Sequence, residues 1–431
     1  MKTRVRVAFP ASKKDEPSWP YMNYDVEKRS REVLSVLREQ LPDFEFEPSI
    51  LHSAKEAEDL IKGDTGKFDG YLVYMTQLWT KIEEAFARGA YPVVIADDPF
   101  AGSGGILSLN SMVRREGLPV VTVSSSSLSD VVDAVRLFEV MKRLRESRIL
   151  VVTNRNCEEG KRVEPLGTTL TCMNSGELLK LFDEVPEEDA RQYAETWMSE
   201  AKEVLEPDAD EILRSARVFL AMREAMLEKN ADAITVDCLG LYYSDNLPAY
   251  PCLGFFQLNN EGSTGVCEAD IRSTLCQLLF RYLTGRPAYV SDPVIDTAAN
   301  QIVYAHCVST NRVFGPGGLP NPYVIRSHAE DLKGASVQSL MPLGEAVTSI
   351  QINPERKAMS IHNAETVANV HDEKGCRTKL AATVDAQTVF DNYHFELFSW
   401  HRVTCYGNHR DSIMKLARMY GLEIFEEDRA I

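Results

Sequence analysis

The chain has 431 residues, 44% of them hydrophobic and 26% charged, close to the average for soluble globular proteins. Acidic residues outnumber basic ones by 64 to 47, a formal net charge of −17. A surface that negative repels phosphate backbones and anionic membranes, which argues against nucleic acid or a membrane as partner.

The first ten residues hold a short apolar stretch that stops at Pro10, ahead of Lys13 and Lys14, too short for the core of a signal peptide. The longest apolar runs, such as Tyr91 to Ala96, are strand-sized and far below the roughly 18 residues that a membrane helix needs. Nine cysteines are scattered without a C-x-x-C pair, so reduced thiols and a cytoplasmic location are expected.

In chain order, Arg4–Phe9 reads as a strand, Val26–Gln40 as a helix and Gly70–Met75 as a short apolar strand. Pro92–Ala96 and Pro119–Val123 are further strands, and Asp130–Arg145 is an amphipathic helix. Strands alternating with helices predict parallel pairing and an α/β domain over 1–147. A second α/β domain, 148–300, opens on the strand Ile149–Thr153. It continues through a helix beginning at Leu178–Phe182, acidic helices over Glu187–Lys229, the strand Ala233–Val236, a helix over Glu268–Thr284 and a strand at Ala288–Ser291. From Gln301 the texture becomes strand-like, at Ile302–Val308, Ala346–Ile352 and Lys357–Ala364, and a helix at Asp411–Tyr420 closes a mostly β segment, 301–431.

Four residues in this pattern are candidates for chemistry. Glu268 precedes the apolar stripe Ile271, Leu275, Leu278, Leu279, Tyr282 and falls on its buried side. A carboxylate there is costly unless it is paired, bound to metal or set at a helix start. A capping box is disfavoured because Gly265 stands where Ser or Thr is required. Asp292 ends the strand after that helix, at the kind of position where α/β proteins put their sites, although an Asp before Pro293 is also an ordinary turn residue and Asp296 competes. His306 shares a strand face with Ile302, Tyr304 and Val308, as a core histidine or as a ligand. His409 follows Gly407-Asn408 at a helix start, as a ligand or as part of an N-cap region with Asn408. Two carboxylates and two imidazoles suit manganese, cobalt, iron or magnesium with positions left for substrate oxygens. The glycine-rich loop Ala101–Gly105 is not a nucleotide loop: Leu107 occupies the third glycine position, and no G-x-x-x-x-G-K-[ST] occurs.

Cys267-Glu268-Ala269-Asp270 opening a helix resembles the metal-binding helix of L-fucose isomerases, and Asp292 stands at their second metal carboxylate. Tyr304-Ala305-His306-Cys307 resembles the strand that supplies a histidine ligand in L-arabinose isomerases. Gly407-Asn408-His409, with the helix and strand after it, resembles the terminal histidine of the family, and Ala231–Cys238 the strand before the site. The resemblance is clearest from Ala231 onward. It implies a Rossmann-like N-terminal domain, a second α/β domain carrying the metal carboxylates and a barrel-like C-terminal domain. It implies a homo-oligomer, trimer or hexamer. It further implies a divalent ion, usually Mn2+, held by Glu268, Asp292, His306 and His409. The expected activity is interconversion of an aldose and a ketose through an enediol, with Glu268 and Asp292 as acid and base on a monosaccharide. His306 follows the arabinose type and Asp292 the fucose type, so the sugar stays open. A lyase or epimerase step at the same site, or carbohydrate binding without catalysis, is the alternative.

Overall fold

A computed structural model describes residues 2–102 and 104–430, so that Ser103 of the glycine-rich loop lies outside the described residues. The chain divides into two compact units, one of residues 1–143 with 411–423, the other of 144–410 with 424–431.

The first unit holds five strands: β1 (Thr3–Pro10), β2 (Phe44–Leu51), β3 (Gly70–Met75), β4 (Val93–Asp97) and β5 (Val120–Val123). All pair in parallel, in the order β2-β1-β3-β4-β5. This is one of the two common doubly wound orders, not the 3-2-1-4-5 of dinucleotide-binding sheets. β3 and β4 are buried at every position, as continuous apolar runs covered on both faces must be. β2 instead alternates, with Phe44 and Phe46 buried and Glu45 and Glu47 exposed, because it is an edge strand. That mixed pattern is why it escaped the sequence reading. Residues 411–423 belong to this unit, and the helix Arg410–Met419 buries Ile413, Leu416, Ala417 and Met419.

In the second unit, β6 (Arg148–Val152), β7 (Arg162–Val163), β8 (Thr168–Met173), β10 (Ala233–Val236) and β11 (Gly265–Cys267) form a sheet in the order β11-β10-β6-β8-β7, parallel except for β7. A small sheet joins β9 (Glu203–Val204) to β14 (Tyr323–Arg326) and β15 (Ser336–Ser339). The remaining strands are β12 (Tyr289–Asp296), β13 (Gln301–His306), β16 (Ala346–Asn353), β17 (Ala358–Asn369), β18 (Thr378–Thr383) and β19 (Arg402–Tyr406), with β20 (Glu423–Glu426) at the edge. They run β16-β19-β12-β13-β18-β17, and β17 pairs back onto β16, so six antiparallel strands close on themselves. Tyr289, Ile302, Tyr304, Val347, Leu380 and Tyr406 pack together in this part of the unit. The segments 148–300 and 301–431 thus lie in one compact unit, apart from 411–423.

One expectation about the cysteines is corrected. Cys157 and Cys172 form a disulfide, with Cα atoms 6.0 Å apart, while the other seven thiols are free. The segment after β6 folds back along β8, with Gly160 and Lys161 hydrogen-bonded to Leu170, and this return brings the two cysteines together.

A buried ion network ties the C-terminus to the barrel. Arg402 Nη2 donates to Glu427 Oε1 at 2.6 Å, and His362 Nδ1 lies 2.8 Å from Glu427 Oε2. Tyr304 Oη lies 2.8 Å from His362 Nε2. Burial alone would raise the Glu427 carboxyl, but Arg402 and His362 hold it down to about 2. A carboxylate depressed in the folded state stabilises fully above its unfolded value of roughly 4.3 and loses that contribution as pH falls toward its folded value. Removing one member of a buried pair strands the other, at a cost of about 3–5 kcal/mol. Glu427→Gln should therefore lower the urea midpoint of the second unit strongly at pH 7, with the gap to wild type closing between about pH 4 and 2. Denaturation followed by circular dichroism across that range checks it, and a gap independent of pH would refute it.

Candidate active site

The strand ends of the second unit bring the chemistry together. β11 pairs with β10 up to Val236↔Cys267, and Glu268 is the next residue. The sequence reading put Glu268 inside the following helix. That helix instead spans Ile271–Thr284, with Asp270 as its N-cap accepting from Ser273 N at 3.0 Å. Between strand and cap, Glu268 and Ala269 both adopt left-handed backbone conformations, φ 63° and 51°. Two successive non-glycine residues in that region cost energy, and such turns concentrate at functional sites. The turn is held by Ala269 N–H to Val236 O at 2.9 Å, and it leaves the Glu268 side chain 38% exposed.

Asp292 also sits differently from the expectation. It lies within antiparallel β12, opposite Ala305 of β13, rather than at the end of a parallel strand. β12 pairs with β19 only over Tyr289–Ser291, so Pro293 falls where no donor toward β19 is required. Ser291 pairs with Arg402, so the register brings His401, one residue earlier, beside Asp292. His306 ends β13, one residue past the partner of Asp292.

The resulting cluster is compact. His306 Nε2 lies 3.7 Å from Glu268 Oε1 and 4.0 Å from Asp292 Oδ2. His401 Nε2 lies 3.5 Å from Glu268 Oε2 and 3.5 Å from Asp292 Oδ1. Glu268, Asp292 and His306 line a cavity of about 250 Å³, shared with Cys267, Cys307 and His328. Among the described residues, two groups have the arrangement to hold a metal ion: Cys267 with Glu268 and His306, and Asp292 with His306 and His401.

The two imidazoles are held differently. His401 Nδ1 lies 2.7 Å from Asp270 Oδ2, which fixes the ring so that Nε2 faces the carboxylates. Burial would depress the His401 pKa, but the Asp270 hydrogen bond and charge, with Glu268 and Asp292 behind them, raise it to about 9. Burial would raise Asp270, but His401 and Ser273 keep it below the usual carboxylate value. His306 Nδ1 accepts the Val308 N–H at 3.3 Å, a long bond.

Of the four residues proposed from sequence, the structure brings Glu268, Asp292 and His306 together and leaves His409 out. Its Nε2 lies 3.0 Å from Tyr406 O, and Phe280 and Gly407 stand against its ring. Its backbone N–H is bonded to Thr348 Oγ1 at 2.9 Å, and neither group of candidate ligands among the described residues includes it. The imidazole that sequence reasoning missed is His401, eight positions upstream. No spacing marks it; only the register of β19 against β12 does.

No protein-family model matches the chain. It is similar to proteins named sulfoquinovose isomerase: one from Priestia aryabhattai is 24% identical, the match covering 85% of this chain and 86% of that one. The same figures hold for the protein from Priestia megaterium. A third, from Alkalicoccus urumqiensis, is 22% identical over 80% of this chain and 82% of its own. The names are those of a sugar isomerase, and none names the L-fucose or L-arabinose family.

The Asp270–His401 pair can be tested directly. Asp270→Asn removes the charge and the strong acceptor, so the His401 pKa should fall well below about 9, with only Glu268 and Asp292 left to oppose burial. Proton NMR titration of the imidazole resonances, with His401→Gln for assignment, reads the shift, and an unmoved value would remove Asp270 from this role.

Proposed function

We propose that the protein is a divalent-metal-dependent aldose–ketose isomerase whose monosaccharide substrate is bound in the cavity beside Glu268, Asp292, His306 and His401. The chain is an isomerase acting on a sugar, an intramolecular oxidoreductase, on its likeness to the three relatives over most of their length. The observation that carries the metal reading is the meeting of two carboxylates and two imidazoles from four separate strands and the turns beside them.

The donor set fits such an ion. His401 turns Nε2 toward the two carboxylates and is backed at Nδ1 by Asp270, the arrangement that orients metal-bound histidines, and a bound ion would displace the Nε2 proton. His306 would join through Nε2, which faces both carboxylates. Glu268 and Asp292 complete a mixed oxygen and nitrogen set, for which manganese is the ion that the resemblance to L-fucose and L-arabinose isomerases implies. When bound, the ion would polarise the carbonyl oxygen of the open-chain sugar and stabilise negative charge on it.

The rest of the chemistry belongs to side chains. One carboxylate of the pair takes the proton from the carbon beside the carbonyl, and its conjugate acid returns a proton to the neighbouring carbon. Glu268, which lines the cavity and is held on a strained turn, is the residue whose loss is most diagnostic. The names of the relatives make sulfoquinovose the first sugar to try, beside neutral aldoses and ketoses.

Incubation of the purified protein with that panel in deuterated water, read by NMR, should show deuterium entering at C1 or C2 as aldose and ketose interconvert. Glu268→Gln should reduce turnover at least about 10²-fold while circular dichroism stays that of wild type. A variant that still turns over would sink the assignment.

Metal binding separates the two histidines. An ion that binds only the folded state stabilises it, by about 2.7 kcal/mol at a hundred times its dissociation constant. Manganese should raise the melting temperature of the wild type and of His409→Ala equally, and that of His401→Ala much less. Melts with manganese and with chelator decide this. A reduced shift in His409→Ala with a full shift in His401→Ala would reverse it.

A further inference from the structure

Cys267 is one of the cavity's donors that the isomerase reading leaves unused. Cys267 is 2% exposed, immediately precedes Glu268, and its Sγ lies 3.5 Å from His306 Nε2 and 3.8 Å from Nδ1. A ligand atom from each of Cys267, Glu268 and His306 lies within 4.8 Å of the other two. On one tetrahedral zinc ion, a thiolate sulfur at about 2.3 Å and an imidazole nitrogen at about 2.0–2.1 Å stand roughly 3.5 Å apart. The observed sulfur–nitrogen separation is 3.5 Å.

We infer that Cys267 gives the cavity a second metal-binding mode, in which its sulfur, a Glu268 oxygen and a His306 ring nitrogen take a thiophilic divalent ion such as zinc or cadmium. Soft thiolate donors select such ions over manganese or magnesium, which prefer oxygen. On binding, the S–H bond gives way to a sulfur–metal bond and the proton leaves to solvent. The fourth position is open to water or a substrate oxygen, as in zinc sites with three protein ligands. Asp292 and His401 belong to the other set alone, whereas Glu268 and His306 are common to both. Two modes that share ligands exclude each other, so zinc or cadmium displaces manganese from this chain. The inference shares two residues with the proposed isomerase site but does not depend on the reaction.

Cadmium is the probe, because a cadmium–thiolate bond gives an ultraviolet charge-transfer band. Titrated into the metal-free full-length protein, cadmium should produce this band, saturating near one equivalent. It should also release bound manganese, followed by the electron paramagnetic resonance of the free ion. Cys267→Ser should lose the band and bind cadmium at least about tenfold more weakly. His401→Gln should keep the band, since His401 is outside this set. Cys267→Ala replaces the serine variant if circular dichroism shows the latter misfolded. A band of wild-type strength in both Cys267 variants would place the ion on other thiols and overturn the inference, as would the lack of any band in the wild type. If the band obeys these variants while manganese fails to bind, the metal-dependent isomerase reading falls and this one stands. If manganese binds and no band forms, the reverse holds.

Discussion

The 2.7 Å contact between Asp270 and His401 joins two architectures in one pair of side chains. Asp270 caps the helix that follows the parallel sheet, and His401 stands at the entrance to a barrel strand. The carboxylate receives Ser273 N–H and Oγ–H on one side and the imidazole on the other, so the same group starts a helix and aims a nitrogen of the cluster. Glu268, two residues before Asp270, is positioned by the same turn. A shift of the cap would move both the carboxylate and the imidazole of the site.

Barrel closure supplies the other half of the geometry. Because β17 pairs back onto β16, neither strand is left as a free edge, and β12 is fixed between β13 and β19. The register on one side sets Asp292 against Ala305, and on the other it brings His401 alongside. Antiparallel registers are specified by side-chain alternation, and a slip of one residue would turn Asp292 to the opposite face. The precision of the site is therefore inherited from pairing along whole strands rather than from contacts at the site.

What could be read from the sequence followed from locality. Continuous apolar runs announced β3 and β4, and a polar residue at a helix start, at a strand end and on an apolar strand face singled out Glu268, Asp292 and His306 in turn. Alternating β2 was missed because Pro48 and paired glutamates blur its apolar period. Glu268 was assigned to a helix because the apolar stripe that begins at Ile271 extrapolates backward over it. Only the cap at Asp270 shows where the helix starts. His409 drew attention through a local signature, a glycine-containing loop before a helix, which its bonds to Tyr406 and Thr348 explain without any ligand. His401 has no local signature. Its place depends on which strand pairs with which, 111 positions apart in the case of Ser291 and Arg402, and that information is nowhere local.

Residues 411–423 belong to the first unit although the whole stretch 144–410 of the second unit separates them from residue 143. Domains on the ribosome tend to fold from the N-terminus as they emerge. Here the parallel sheet of the first unit is translated before the helix that buries Ile413, Leu416 and Met419, with the second unit made in between. The sheet must wait, with that apolar surface unfilled, until residues 144–410 have been translated. Its stability is thereby made conditional on synthesis of the second unit, and a ribosome that stops before residue 411 releases a first unit that is incomplete.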